Sequence, residues 1–289
     1  MPSFNSVALI GRYNGRDGAQ SLKTLGEFLL GRGCRVLIEK DSAAATGIVG
    51  FDTADYASLG AQVNLAVVLG GDGSMLNAAR NLARFKVPLI GVNQGRLGFM
   101  TDIAAGSMLD TMDQVLEGKF SVEDRTLLVA EVVRDAVKVF STIALNDVVV
   151  NKGAFGRLIE FLVHIDDEFV YDLRADGLIV ATPTGSTAYA LSSNGPIVQP
   201  TVAGVALVPI CPHTLSNRPI AVSENSRIEI TLKSAVDALL HFDGQPQVDL
   251  HEGDKVIVRR ADHSIRFIHP PGYSYFAMLR EKLHWSEMY

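Results

Sequence analysis

Cysteine is nearly absent, with Cys34 and Cys211 the whole supply, and tryptophan occurs once. Two isolated cysteines build neither a disulfide framework nor a metal cluster. None of the seven histidines, His213 included, stands near another His or Cys at zinc-ligand spacing. No apolar run reaches the ~18 residues of a membrane span, and no basic-then-apolar leader opens the chain. The expectation is a soluble cytoplasmic protein without a membrane partner. Excess basic charge is also missing: the net charge of −6 removes a general footprint for nucleic acid.

Several catalytic signatures are missing as well. There is no Walker A pattern ending in Gly-Lys-Ser/Thr, no protein-kinase catalytic loop, no Asp-Phe-Gly and no Gly-x-Ser-x-Gly elbow. The dinucleotide fingerprint Gly-x-Gly-x-x-Gly fails at residues 71–76, because Leu76 takes the last glycine's place. What is present is an ordinary globular composition, 47% apolar and 20% charged over 289 residues. That length suffices for two domains or a single large one.

The organising stretch is residues 65–80. Leu65 to Leu69 is an unbroken apolar run, as in a strand buried on both faces of a parallel sheet. Met75, Leu76, Ala78, Ala79, Leu82 and Ala83 repeat at helical spacing, predicting a helix over 75–84. Between them, Gly70, Gly71, Asp72 and Gly73 allow a sharp turn, positive φ and close approach of a ligand. The first N–H groups of the following helix favour an anion such as phosphate. A carboxylate there is repulsive to phosphate unless it holds a metal or takes a proton. The same turn is equally satisfied by a structural role, with Asp72 or Ser74 as helix cap.

Around this stretch, strands at Val7–Ile10, Val36–Ile38, Leu65–Leu69 and Leu89–Val92 alternate with helices at 22–29 and 75–84, while 43–52 reads as a loop. A further helix, 109–116, closes at Gly118. The pattern predicts an α/β N-terminal domain with an open, mostly parallel, Rossmann-like sheet and ligands at the strands' carboxyl ends. Both glycine loops, 70–73 and 93–98, fall at such ends. From 120 the texture becomes β-branched, with strands expected at 127–133, 139–150, 158–165, 169–171, 205–210, 227–232, 238–242, 255–259 and 264–268. An all-β C-terminal domain over 120–269 follows, with residues 1–119 and 270–289 forming the first; the helix over 274–285 packs back on it.

Within the β block, Arg174 to Pro196 departs from plain strand and turn. Leu178 to Ala181 is a strand, and Thr182 to Thr187 is a hydroxyl-rich loop shaped by Pro183 and Gly185. Such a loop can offer hydroxyl and backbone donors to sugar or phosphate oxygens, or can be a connection capped for a short helix. Tyr189 can stack on a base or simply pack. Arg174 and Asp176 can pair with each other, Asn146 and Asp147 need partners if buried, and Asp243-Gly244 reads as a hairpin turn.

Taken together, these stretches resemble the bacterial NAD kinases across nearly the whole chain. The likeness rests on Gly70-Gly71-Asp72-Gly73, on 91–99 (Gly-Val-Asn-Gln-Gly-Arg-Leu-Gly-Phe), on Asn146-Asp147, on 176–189 and on 212–219. The first motif is shared with lipid kinases and phosphofructokinase-like enzymes; 176–189 is far more specific. Asp147 is often Glu, and Asn194 often Gly, in the forms it resembles. The resemblance implies transfer of the ATP γ-phosphoryl group to the 2′-hydroxyl of the adenosine ribose of NAD, with a divalent ion, Mg²⁺, bridging the phosphates and no metal-ligating residues assigned. It implies Asp72 as catalytic base, Gly70, Gly71 and Gly73 at the phosphates, and Asp72 and Gly73 also against NAD. Asn146 and Asp147 would bind the adenine or ribose side. Thr187, Ala188, Tyr189, Ala190, Leu191 and Ser192 would wrap the dinucleotide, with Asp176 near the nicotinamide end and Arg157, Arg174 and Gln245 as secondary contacts. Arg174 resembles members that prefer NAD over NADH, and the family resemblance implies a homo-oligomer, dimer or tetramer. The competing readings are a lipid-type kinase sharing the glycine motif and a non-enzymatic NAD(P) sensor.

Overall fold

The computed structural model describes residues 4–11, 16–95, 98–153, 157–214, 216–234 and 237–285. Arg96 and Leu97 of the second glycine loop and Leu215 of the 212–219 stretch lie outside the described residues. The chain divides into two units, one of residues 1–124 and 265–289, the other of residues 125–264.

The first unit is an eight-stranded sheet whose main order is Asp52–Ala54, Arg35–Glu39, Ser6–Gly11, Leu65–Leu69, Leu89–Asn93, Ile265–His269 and Ser121–Arg125, with Ile103–Ala104 pairing beside Leu89–Asn93. Ser6–Gly11 runs parallel to both neighbours, as Leu65–Leu69 does to Leu89–Asn93. The order reverses between Ser6–Gly11 and Leu65–Leu69, and such a switch point opens a crevice at the strands' carboxyl ends. Gly11 and Leu69 are level there, so the Gly70–Gly73 turn leaves the sheet at the switch. Val7, Leu9, Leu65, Val67 and Leu69 pack with Leu22, Leu25 and Leu29 of the helix Arg16–Gly31.

Two elements differ from the sequence reading. Residues 43–52, expected as a loop, contain most of a helix, Lys40–Thr46. It has no long apolar stripe to betray it; Glu39 caps it by accepting from the Asp41 and Ser42 N–H groups, and Gly47 ends it at φ 65°. The strand near 264–268 lies in the parallel sheet of the first unit, not in the all-β block, pairing parallel with Leu89–Asn93.

The second unit holds two six-stranded sheets, with antiparallel pairing. Alternating residues such as Leu128, Ala130 and Val132 from one sheet and Val148, Val150, Leu178 and Val180 from the other share a single core. The expected long strand 139–150 is two strands, Val137–Ala144 and Asp147–Lys152, broken at Leu145-Asn146. Asp166 and Asp167 form a hairpin turn with φ of 51° and 67°, and Asp243-Gly244 forms the predicted one at 49° and 78°. Strands Ile220–Ser223 and Gln245–Leu250 lie outside the sequence expectation; Ile220, Val222 and Val248 pack against the core.

The sheet bearing Asp147–Lys152 is buried on its other face too. Val149, Ile179, Ala181, Ala206 and Val208 pack there against Ala190, which lies in the short helix Tyr189–Ser192. The short helix Tyr189–Ser192 is therefore seated on this face of the sheet through Ala190.

Candidate active site

In the first unit, the helix after the glycine turn is Asp72–Leu82, with Gly71 as N-cap and no side-chain cap bond. Neither Asp72 nor Ser74 caps it. Gly71 has φ −96° and ψ −172°, so its backbone is extended rather than left-handed. Among the described residues, a Cβ added at Gly71 or Gly73 would meet nothing within 4 Å. The glycines thus leave open room above the first turn, where α-helical N–H groups lack internal acceptors.

The Asp72 carboxylate is held from the second glycine loop. Phe99 N–H donates to Oδ2 at 2.9 Å and Met100 N–H to Oδ1 at 3.0 Å. Gly98 packs so closely that a Cβ there would lie 2.1 Å from Asp72 Oδ1. Two donors on one carboxylate fix its plane while leaving further lone pairs open.

In the second unit, a cavity of about 330 Å³ is lined by Asn146, Asp147, Val149, Asn151, Ala188, Tyr189, His241, Asp243 and Gly244. Three buried polar atoms at these residues, Asn146 Oδ1, Asn151 Oδ1 and His241 Nε2, have no hydrogen-bond partner among the described residues. Unpaired polar atoms around a concave space are what a polar ligand would satisfy. Asp243 Oδ1 accepts from the N–H groups of Asn146 at 2.7 Å and Asp147 at 3.3 Å, and its Oδ2 accepts from Leu145 at 3.2 Å. A hairpin-turn carboxylate thus orients the strand start that bears Asn146 and Asp147.

Asp147 is only 3% exposed. Burial, and secondarily the neighbouring Asp243 carboxylate, pushes its pKa up to about 7. Burial pushes the His241 imidazole down. Tyr189 is 42% exposed. Burial of its ring raises its phenol pKa, with smaller contributions from Cys211, Asp176 and Asp147.

The hydroxyl-rich loop behaves differently from one reading of it. Thr182 donates to Leu145 O at 2.5 Å, Ser186 to Pro183 O at 2.6 Å and Thr187 to Thr184 O at 3.2 Å, while Thr184 accepts from Arg125 Nη1 at 3.1 Å. These side chains tie the loop to itself and to the Asn146 strand instead of facing outward. Gly185 completes the fit, since a Cβ there would lie 2.0 Å from Asn146 O.

Asn146, Asp147, Ala188 and Tyr189 of the expected NAD-binding set line the cavity; Thr187, Ala190, Leu191 and Ser192 belong to the same segment without lining it. Arg157 and Gln245 are exposed. Arg174 and Asp176 do not pair with each other: Arg174 faces Glu160 at 3.7 Å, and Asp176 bonds Lys152 at 2.8 Å. Sequence reasoning missed Asn151, His241 and the orienting role of Asp243. The available signal was strand alternation, which puts Val149 and Asn151 on one face, cross-paired with His241 and Leu239. Among the described residues, no group of three His, Cys, Asp or Glu side chains is placed to hold a metal ion.

Comparison with known proteins fits both halves. The ATP-NAD kinase N-terminal domain family matches residues 7–120, and the ATP-NAD kinase C-terminal domain family matches residues 145–270. The NAD kinase of Aromatoleum aromaticum is 55% identical over 285 residues, covering 98% of this chain and 95% of the relative.

This chain belongs to the NAD kinase family.

It is accordingly a phosphotransferase acting on NAD. The NAD kinase of Laribacter hongkongensis is 50% identical, covering 98% of each chain. Among solved structures, yeast NADH kinase complexed with NADH superposes with a TM-score of 0.90 at 26% identity, covering 100% of this chain and 90% of that one. An NAD kinase from Archaeoglobus fulgidus in complex with ATP gives 0.77 at 25% identity, covering 96% of this chain and 98% of the other. The α/β unit and the all-β unit are the family's two domains.

Proposed function

We infer that this NAD kinase transfers the γ-phosphoryl group of ATP to the 2′-hydroxyl of the adenosine ribose of NAD, with Asp72 as base and orienting group. The observation that carries the assignment is the Asp72 carboxylate itself. It stands at a helix start between two glycines whose Cβ positions meet none of the described residues, fixed by two backbone donors and not used as a cap.

The ribose 2′-oxygen attacks phosphorus, the bond to the ADP oxygen breaks, and the hydroxyl proton passes to Asp72. In a loose transition state that proton moves late, so an ordinary carboxylate serves mainly by holding the hydroxyl in line. Gly70, Gly71 and Gly73 make room for the phosphates at the helix N-terminus. A divalent ion such as Mg²⁺ would, when bound with ATP, supply charge neutralisation at those phosphates.

NAD enters the polar cavity of the second unit. Asn146, Asn151 and His241 supply unpaired polar atoms and Tyr189 an aromatic face. Asp176, Arg174, Arg157 and Gln245 act toward the nicotinamide side and the rim, and Arg174 favours NAD over NADH. Assembly as a dimer or tetramer and a cytoplasmic setting extend the same family likeness.

Asp72→Asn tests the role of the carboxylate. We expect kcat to fall by about 10²–10⁴-fold, with NAD affinity by calorimetry unchanged. Phosphorylation at the wild-type rate would remove Asp72 from the mechanism.

A further inference from the structure

The segment that holds Asp72 is itself anchored at a distance. Thr101 is 0% exposed, and its hydroxyl oxygen accepts from Gly98 N–H at 3.0 Å and from the Asn93 side-chain amide at 3.1 Å. Asn93 also caps the turn by accepting from Gly95 N–H at 2.5 Å. Gly91 lets this segment lie directly on its strand, since a Cβ there would be 2.6 Å from Met100 O. Residues 98–101 thus form a strap drawn tightly onto Leu89–Asn93, with its Phe99 and Met100 N–H groups turned to the Asp72 carboxylate.

The strap ends at Asp102. Asp102 Oδ2 is hydrogen-bonded to Nδ1 of His269, which is 2% exposed and lies on the strand Ile265–His269. A carboxylate can only accept, so Nδ1 carries the proton. The imidazole ring is fixed in turn by Tyr273, stacked at 3.8 Å between centroids and 7° between planes. Its Nε2 is buried with no hydrogen-bond partner among the described residues, so among them Asp102 is the ring's polar contact. Asp102 and His269 lie 167 positions apart in sequence, yet both belong to the first unit.

We propose that His269 is a positioning residue for phosphoryl transfer: by anchoring Asp102 it holds the 98–101 strap, whose two N–H groups set the Asp72 carboxylate. The proposal rests on the reading of Asp72 as the group that orients the ribose hydroxyl. A misplacement of about 1 Å in a reacting group can cost ~10²-fold in rate, and an unanchored strap permits such a shift without touching either substrate.

The test compares His269→Phe, which keeps a ring for Tyr273 but removes the donor, with His269→Asn, which restores an N–H near Nδ1. Full-length protein is assayed for kcat and for KM with NAD and ATP, and amide exchange is followed at Phe99 and Met100. We expect His269→Phe to lose about 10- to 100-fold in kcat with both KM values within twofold. Exchange at Phe99 and Met100 should quicken while the Leu65–Leu69 amides keep theirs, and His269→Asn should recover most of the rate. Wild-type kcat in His269→Phe, a loss carried by KM, or quickened exchange throughout the sheet would overturn the proposal. Should His269→Phe not fold, Thr101→Val against Thr101→Ser applies the same readouts from the strap's other tie. Asp72→Asn, run alongside, separates the two claims. If it is inactive while the strap variants behave as wild type, only the proposal fails; if it is fully active, the base assignment fails and the strap has nothing to position.

Discussion

At the scale of single residues, Asp147 is a buried carboxylate kept beside another carboxylate, Asp243, and that has a thermodynamic signature. Its folded pKa, pushed up to about 7, lies above the ordinary value of 3.8. Between these values the unfolded chain has released the proton while the folded one keeps it, so stability falls as pH rises through this window and levels off above about 7. Asp147→Asn removes that titration. The melting temperature of the variant relative to wild type should therefore climb between pH 5 and 7.5, by on the order of 5 °C, then stay flat. A difference that is constant across this range would mean that Asp147 is ionised in the fold at all these pH values. The residue scale is also where sequence legibility is most uneven. Asp72 stands out because a carboxylate among glycines is chemically odd, and Asn146-Asp147 stands out as polar residues in an apolar run. His241 does not stand out, because alternation sets it beside Val149 without telling whether that face lines a cavity or meets solvent, and Asp243 reads only as a turn residue.

At the scale of elements, the 182–192 segment is fixed by its own hydroxyls and by one glycine. Gly185 has no room for a side chain, its Cβ position lying 2.0 Å from Asn146 O. Gly185→Ala should cost about 1–3 kcal/mol in denaturant unfolding and raise KM for NAD while leaving KM for ATP unchanged. Equal effects on both substrates would mean that the segment does not serve the dinucleotide side. Hydroxyl richness was visible in the sequence, but the direction of those hydroxyls was not. Thr182, Ser186 and Thr187 turn inward because the loop's carbonyls need donors, and only the path of the backbone decides that. The helix Lys40–Thr46 was illegible for a related reason, since its stability comes from Glu39 and Gly47 at its ends more than from an apolar face.

At the scale of the whole molecule, the alternation of strands and helices up to residue 116 and the β-branched texture beyond it foretold an α/β unit and an all-β unit. What the local pattern did not carry is that the chain leaves the first sheet and returns to it. Ile265–His269 looks like one more strand of the β block, yet it lies between Leu89–Asn93 and Ser121–Arg125 in the first sheet, because pairing is set by topology and not by composition. Phe267, 1% exposed at the centre of that strand, is therefore core to the α/β unit. Phe267→Ala should destabilise by about 3–5 kcal/mol, and the helical circular-dichroism signal should melt first. Loss of β signal ahead of helix would contradict this assignment.

The measurement that bears most directly on the whole account is an end-point assay of the purified protein with ATP, Mg²⁺ and either NAD or NADH. NADP is read with a dehydrogenase specific for the 2′-phosphate, and NADPH after separation. The account predicts NADP from NAD, little NADPH from NADH, and loss of product in Asp72→Asn. Equal product from NADH would retain the reaction and discard the specificity assigned to Arg174. No product from either dinucleotide, with polyphosphate as donor or Mn²⁺ as metal included, would contradict the kinase assignment and favour a protein that binds NAD(P) without acting on it.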